Sequence, residues 1–219
     1  MERHFDEELK HLKQRLLHMA DIAQTMVGLA VKALVDRSES PAQEVFVSED
    51  KVNHMEIEIE DDALKLLALR QPAARDLRLL TAILKINNDL ERVADQAVNI
   101  SETAVFLLKE PPLKPLIDIP KMAGLAQKMI KESLDAFVRH DSKLAQAVCG
   151  DDDEVDRINE QIFRELLTTM MEDPKSITRA VDLILVARNL ERIADHATNI
   201  AEDVIFIEQG KNIKHHLQG

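Results

Sequence analysis

The chain contains no tryptophan, no tyrosine, a single cysteine and only five glycines in 219 residues. The missing aromatics and scarce turn residues exclude a strand-rich architecture, because sheets draw on Tyr, Trp and β-branched residues and need tight turns between strands. One cysteine, Cys149, excludes an intrachain disulfide framework and a multi-cysteine metal site. A reducing compartment is expected. Positive charge is also in short supply. With 28 Lys and Arg against 40 Asp and Glu, the net charge is −12. That balance argues against nucleic acid as the main partner, since phosphate backbones are held by clustered Lys and Arg. Cations or basic protein surfaces suit it better.

No apolar run approaches the ~18 residues of a membrane helix, so no membrane insertion is expected. The polar, acidic stretch Met1 to Glu8 does not read as a signal peptide. Neither Gly-x-Gly-x-x-Gly nor Gly-x-x-x-x-Gly-Lys occurs, so there is no nucleotide-phosphate loop. No Ser, His and Asp set stands out. The expectation is a soluble, cytoplasmic, non-enzymatic protein.

What the chain has in abundance is helical periodicity, and it has it twice. Leu90-Glu91-Arg92-Val93-Ala94-Asp95-Gln96-Ala97-Val98-Asn99-Ile100-Ser101-Glu102 returns one hundred residues later as Leu190-Glu191-Arg192-Ile193-Ala194-Asp195-His196-Ala197-Thr198-Asn199-Ile200-Ala201-Glu202. Earlier residues repeat at an offset of 103: Met122, Met129, Ala136, Val138, Val148 and Val155 answer Met19, Met26, Ala33, Val35, Val45 and Val52. This is an internal duplication. Apolar residues at helical spacing predict helices over about 4–36, 42–70 and 72–109, then 121–149, 151–171 and 174–209. Between the halves, residues 110–120 hold four prolines, which exclude helix interior. The fold class is therefore all-α: two tandem three-helix bundles, 1–109 and 121–219, joined by a proline-rich linker, 110–120.

Within each copy, Leu79, Ile83, Ile86, Leu90, Val93 and Ala97, and likewise Leu183, Val186, Leu190, Ile193 and Ala197, form a core stripe. Glu91, Asp95, Asn99 and Glu102, with their counterparts Glu191, Asp195, Asn199 and Glu202, form a second line about 100° away. The helix before each repeat carries another i, i+4 pair: Glu49 and Asn53 in the first half, Asp152 and Asp156 in the second. Adjacent helices in an up-and-down bundle are antiparallel, so these pairs face the repeat acids across a groove. Like charges so placed repel.

A bound cation offsets that repulsion better than Arg92 or Arg192, whose side chains point about 100° away from the acids. Oxygen-only ligands select hard ions: Mg²⁺, Ca²⁺, Mn²⁺ or iron. Glu-x-x-x-Asp is also a common solvated helix face, and a duplicated helix contact would preserve the same residues. A di-iron carboxylate enzyme normally uses Glu-x-x-His on two helices. Here that spacing occurs only at Glu8 and His11, opposite Pro111 and Lys114 in the second half. His4, His11 and His18 read as a polar flank of the first helix, His196 has only Gln96 as counterpart, and Cys149 reads as a structural residue at a helix end.

Together with Gln71-Pro72-Ala73-Ala74-Arg75-Asp76-Leu77-Arg78-Leu79, Met170-Met171-Glu172-Asp173-Pro174 and Glu208-Gln209-Gly210-Lys211-Asn212-Ile213-Lys214-His215-His216, the repeated motifs make the chain resemble the PhoU family over essentially its whole length. The resemblance implies a cytoplasmic negative regulator of phosphate uptake and phosphate-starvation signalling. It implies partners in the ATPase subunit of the phosphate ABC transporter and a sensor histidine kinase, and a homodimer of two-bundle subunits. It also implies metal ions on paired Glu/Asp-x-x-x-Asp motifs, matched by Glu91 with Asp95, Glu191 with Asp195 and Asp152 with Asp156. Glu49 with Asn53 departs from the pattern by ending in an amide. Asn99, Glu102, Asn199 and Glu202 are further candidate ligands, and Arg75, Asp76 and Arg78 a candidate partner surface. A carboxylate-metal hydrolase or oxidase, or a metal-free helical interaction module, are the alternatives.

Overall fold

The computed structural model describes residues 2–70, 72 and 74–210, the side chains of residues 2–4 and 70 excepted. Six helices account for nearly all of it: α1 (Glu2–Val35), α2 (Glu39–Arg70), α3 (Ala74–Leu107), α4 (Asp118–Arg139), α5 (Ser142–Glu172) and α6 (Ile177–Gln209), with a 3₁₀ turn at Pro174–Ser176 before the last. Among the described residues there is no strand, and no helix is long and apolar enough to cross a membrane.

The stripes read from the sequence are the buried faces. Leu12, Leu16, Met19, Ala23, Met26 and Ala30 of α1 are shut from solvent, as are Ile83, Ile86, Leu90, Val93 and Ala97 of α3 and Val186, Leu190, Ile193 and Ala197 of α6. Each fully buried Leu or Ile contributes about 1.5–3 kcal/mol. Helices α1, α2 and α3 pack on one another, and so do α4, α5 and α6; α3 then lies against α6 and α1 against α4. The two bundles share one continuous core, with α2 and α5 on the outer flanks.

The contacts that join the halves are specific. Between α1 and α4, Gln24 Nε2 donates to Gln127 O and Gln127 Nε2 donates to Gln24 O, both at 3.2 Å. These residues are equivalent under the offset of 103. The helices are close here: a Cβ at Gly28 would stand 3.0 Å from Gln127 Nε2. Between α3 and α6, Lys85 Nζ pairs with Asp203 Oδ1 at 2.9 Å. Asp89 Oδ1 meets His196 Nδ1 at 2.8 Å and accepts from Asn199 Nδ2 at 3.2 Å.

The boundaries of α4 and α5 differ from the periodicity reading. The expected helix over 121–149 ends at Arg139, and α5 starts at Ser142, so Cys149 and Gly150 lie inside a helix instead of at its end. The break comes from His140, left-handed at φ 57°, and from the Asp141 carboxylate, which accepts from the Lys143 and Leu144 amides as an N-cap. Arg37, the counterpart of His140, is left-handed too, at φ 51°. The linker is shorter than expected, because α4 begins at Asp118 and Pro120 sits in its first turn, where no intrahelical N–H is needed.

Arg37 Nη2 donates to the carbonyls of Leu107, Leu108 and Glu110 at 3.3, 3.1 and 2.5 Å, closing the end of α3. Arg179 Nη1 holds Pro111 O at 3.0 Å, and Lys114 pairs with Glu165. The linker is thus tied down by cations from both halves.

Replacing Arg37 by Ala removes a charged donor from these carbonyls, a loss of about 1–3 kcal/mol. Arg37→Gly loses the same bonds but relieves a left-handed non-glycine residue, worth about 1–2 kcal/mol. Urea unfolding is expected to rank wild type above Arg37→Gly and Arg37→Gly above Arg37→Ala.

Candidate metal centre

The sequence acids gather on the α2–α3 and α5–α6 grooves, one patch in each half. In the second half, α5 supplies Asp152 and Asp156 and α6 supplies Glu191 and Asp195. Burial, then Asp195, Asp156, Asp153 and Glu191, pushes the Asp152 carboxyl up from 3.8 to about 6. Glu191 is raised by burial and by Asp195 and Asp156. Asp195 keeps an open edge to solvent, yet partial burial and the adjacent Asp156 raise it as well. Arg188 and Arg192 oppose these shifts only in part. Among the described residues no ion pair closes on any of the four.

The first-half patch is better compensated. Glu49 is raised by burial, then by Asp95, Asp50 and Glu102, and Glu91 by burial and Asp95. Arg92 reaches both repeat acids, however, with Nε 3.3 Å from Glu91 Oε2 and Nη1 3.2 Å from Asp95 Oδ2. This corrects the expectation that it points away: the long guanidinium arm wraps back over the adjacent turn. Exposed as it is, the pair is worth at most about 1 kcal/mol. Asn53, half-buried, stands where the second half has Asp156.

The remaining candidates divide. Glu102 acts on Glu49, and Glu202 on Cys149, whose thiol is pushed up to about 11, chiefly by burial. Asn99 is exposed, and Asn199 is turned toward α3 to bond Asp89. Arg75 is exposed, Asp76 and Arg78 half-buried, at the start of α3. His11 and His18 are exposed on α1; the side chain of His4 and residues 211–219 lie outside the described residues. Glu56 was not singled out by the motif reading, though it raises Glu91. Its signal was its place seven residues after Glu49, two turns along the same face of α2.

The donor chemistry is that of a hard cation: carboxylates and an amide, partly desolvated, with Glu91 Oε2 buried and met by the Arg92 guanidinium at 3.3 Å. As the side chains stand, no three His, Cys, Asp or Glu groups among the described residues are arranged around one point. The donors fit a metal in kind and are spread along the grooves in position.

The raised Asp152 carboxyl has a consequence for stability. The folded state keeps its proton to about pH 6 while the unfolded chain releases it near 3.8, so stability falls as pH rises through that window and stays lower above it. In chelator-containing buffer, Asp152→Asn is expected to melt above wild type at pH 7–8 and to lose that advantage below about pH 4.

Known proteins share the fold and the duplicated halves. The PhoU domain model matches twice, at residues 16–104 and 119–204, once in each half. A phosphate-specific transport system accessory protein PhoU homolog from Pseudomonas aeruginosa is 41% identical over 212 residues, covering 96% of this chain and 88% of the relative. Another from Aquifex aeolicus is 41% identical over 208 residues, covering 95% and 94%. The crystal structure of PhoU from Pseudomonas aeruginosa superposes with a TM-score of 0.92 at 41% identity, covering 94% of this chain and all of that one. The phosphate transport system regulatory protein PhoU from Streptococcus pneumoniae gives 0.88 at 26% identity, covering 96% and 99%. The chain belongs to the PhoU family.

Proposed function

We propose that this chain is a cytoplasmic, non-catalytic regulator of phosphate uptake that represses phosphate-starvation signalling, acting as an adaptor between the ATPase subunit of a phosphate ABC transporter and a sensor histidine kinase. The observation that carries this reading is the pair of PhoU-domain matches, one per half, on a fold that presents an equivalent acidic groove from each bundle. Relatives described as accessory proteins of phosphate-specific transport support it. Two equivalent faces on one body are what bridging requires, and the exposed start of α3, with Arg75, Asp76 and Arg78, offers charged contacts to a partner. The protein acts as a homodimer.

Glu49, Asn53, Glu91 and Asp95 in one half, and Asp152, Asp156, Glu191 and Asp195 in the other, would hold Mg²⁺, Ca²⁺, Mn²⁺ or iron ions. A bound ion supplies positive charge that offsets the crowded carboxylates. The acids themselves set the edges of the grooves, and their burial determines how strongly each groove draws cations.

Elemental analysis of protein purified without chelator, beside the Glu191→Ala, Asp195→Ala double variant, is expected to show metal that falls by about half in the variant. Absence of metal from both proteins would remove the ions from the proposal. Charge reversal at Arg75 and Arg78 is expected to weaken binding to the purified ATPase subunit or kinase about tenfold, as loss of interfacial charges does; unchanged affinity for both would exclude that surface. Deleting the gene should switch on a phosphate-starvation reporter in phosphate-rich medium, and a silent reporter would overturn the repressor role.

A further inference from the structure

Below the second acidic patch the α5–α6 groove changes character. The register in which Asp152 meets Asp195, and Asp156 meets Glu191, sets Phe163, Leu167 and Met171 of α5 level with Leu185, Val181 and Ile177 of α6 along the outer surface of the pair. These three rungs are spaced by one helical turn on each strand of the antiparallel pair. All six side chains are between 42% and 78% exposed.

The first half serves as an internal control. Its equivalent positions are Glu60, Leu64 and Ala68 on α2, and Leu77, Thr81 and Lys85 on α3. Only two of these are large and apolar, so the three-helix fold does not itself demand the ladder. At ~200 Å² for a large apolar side chain, the exposed fractions amount to roughly 600 Å². That is the upper end for the largest apolar patch of a monomer, about 300–600 Å². With a polar rim it approaches the ~800 Å² per partner of a standard interface.

We infer that this ladder is the surface through which a second copy of the chain docks, by a two-fold axis crossing the Leu167–Val181 rung at right angles to the helices. The inference rests on the homodimer reading above and adds its face and orientation. Charge decides the orientation. Arg164, paired with Glu160 on its own helix, and exposed Arg188 border the Phe163 end of the ladder, leaving it net positive; exposed Glu172, Asp173 and Lys175 border the Met171 end, leaving it net negative. A two-fold across the middle rung exchanges the ends, so each arginine end meets the other copy's Glu172. Leu167 then faces Leu167 of the other copy. The same axis sends the two acidic patches to opposite ends, on the order of 40 Å apart at 1.5 Å per residue, well beyond the ~8–10 Å over which charges repel at ordinary ionic strength. A parallel arrangement sets arginine against arginine and patch against patch.

Light scattering on a sizing column, at micromolar protein, tests this. Wild type is expected at the dimer mass. Leu167→Lys with Val181→Lys should give the monomer mass with unchanged helical circular dichroism, while Leu64→Lys with Leu77→Lys, the control in the first half, stays dimeric. A Leu167→Lys, Val181→Lys protein that remains dimeric overturns the face and leaves the dimer standing. A monomeric wild type overturns both, and loss of the dimer in both variants overturns the assignment to the second half alone. In a Cys149→Ser background, Leu167→Cys is expected to form an intersubunit disulfide on mild oxidation. A dimer that fails to crosslink there overturns the two-fold.

Discussion

A long helix fixes the angle between its faces, and the rest of this molecule follows from that rigidity. Five of the six helices exceed thirty residues, so whatever lies about 100° from the core stripe stays there for turn after turn. The acids of α3 and α6 are therefore neither in the core nor fully in water. They run along the rims where α2 and α5 close the bundles, half desolvated and close to carboxylates of the neighbouring helix. The raised proton affinity of Glu91, Glu191 and Asp195 is a product of that geometry, and so is the suitability of the rims for a cation.

Duplication doubled this arrangement, and the copies then diverged where they touch each other. Asp89 meets His196, but their counterparts are Asn189 and Gln96; Lys85 meets Asp203, but their counterparts are Leu185 and Thr103. Each of these two cross-half contacts lacks its symmetry mate, because the counterpart residues cannot form it. The acidic grooves diverged as well. One has Asn53 and a wrapped Arg92, the other Asp156 and an Asp152 carboxyl pushed up to about 6. The chain thus holds one shape in two electrostatic versions.

The fold was legible because its signal is redundant: buried positions recur every three or four residues over thirty-residue spans, and then recur again. The grouping of acids along each groove was legible for the same reason, since Glu91, Asp95, Glu191 and Asp195 keep their spacing, while their partners across the groove differ, with Asn53 where the second half has Asp156. What escaped is carried by single residues. The break at His140–Asp141 depends on one left-handed residue and one capping carboxylate, whereas Gly150 looks like a breaker and lies in helix. Arg92 was misplaced because Cα direction does not fix where a long guanidinium arm ends. The bond between His196 and Asp89 has no periodicity at all; it is set by how α3 meets α6.

The reciprocal glutamines at the α1–α4 crossing bear on origin. Gln24 bonds the carbonyl of Gln127 as Gln127 bonds that of Gln24, at equal length. Residue i touching j while j touches i is the mark of an isologous interface, formed when identical subunits meet on a two-fold axis. A single three-helix repeat could therefore have paired with itself before the genes fused. The ten residues between α3 and α4 then turned that encounter into an intramolecular one, at a millimolar effective concentration instead of whatever the cell supplied. With the two halves held together by the chain, a second contact at the counterparts Asn189 and Gln96 is not required for their pairing, and each half carries a surface the other lacks.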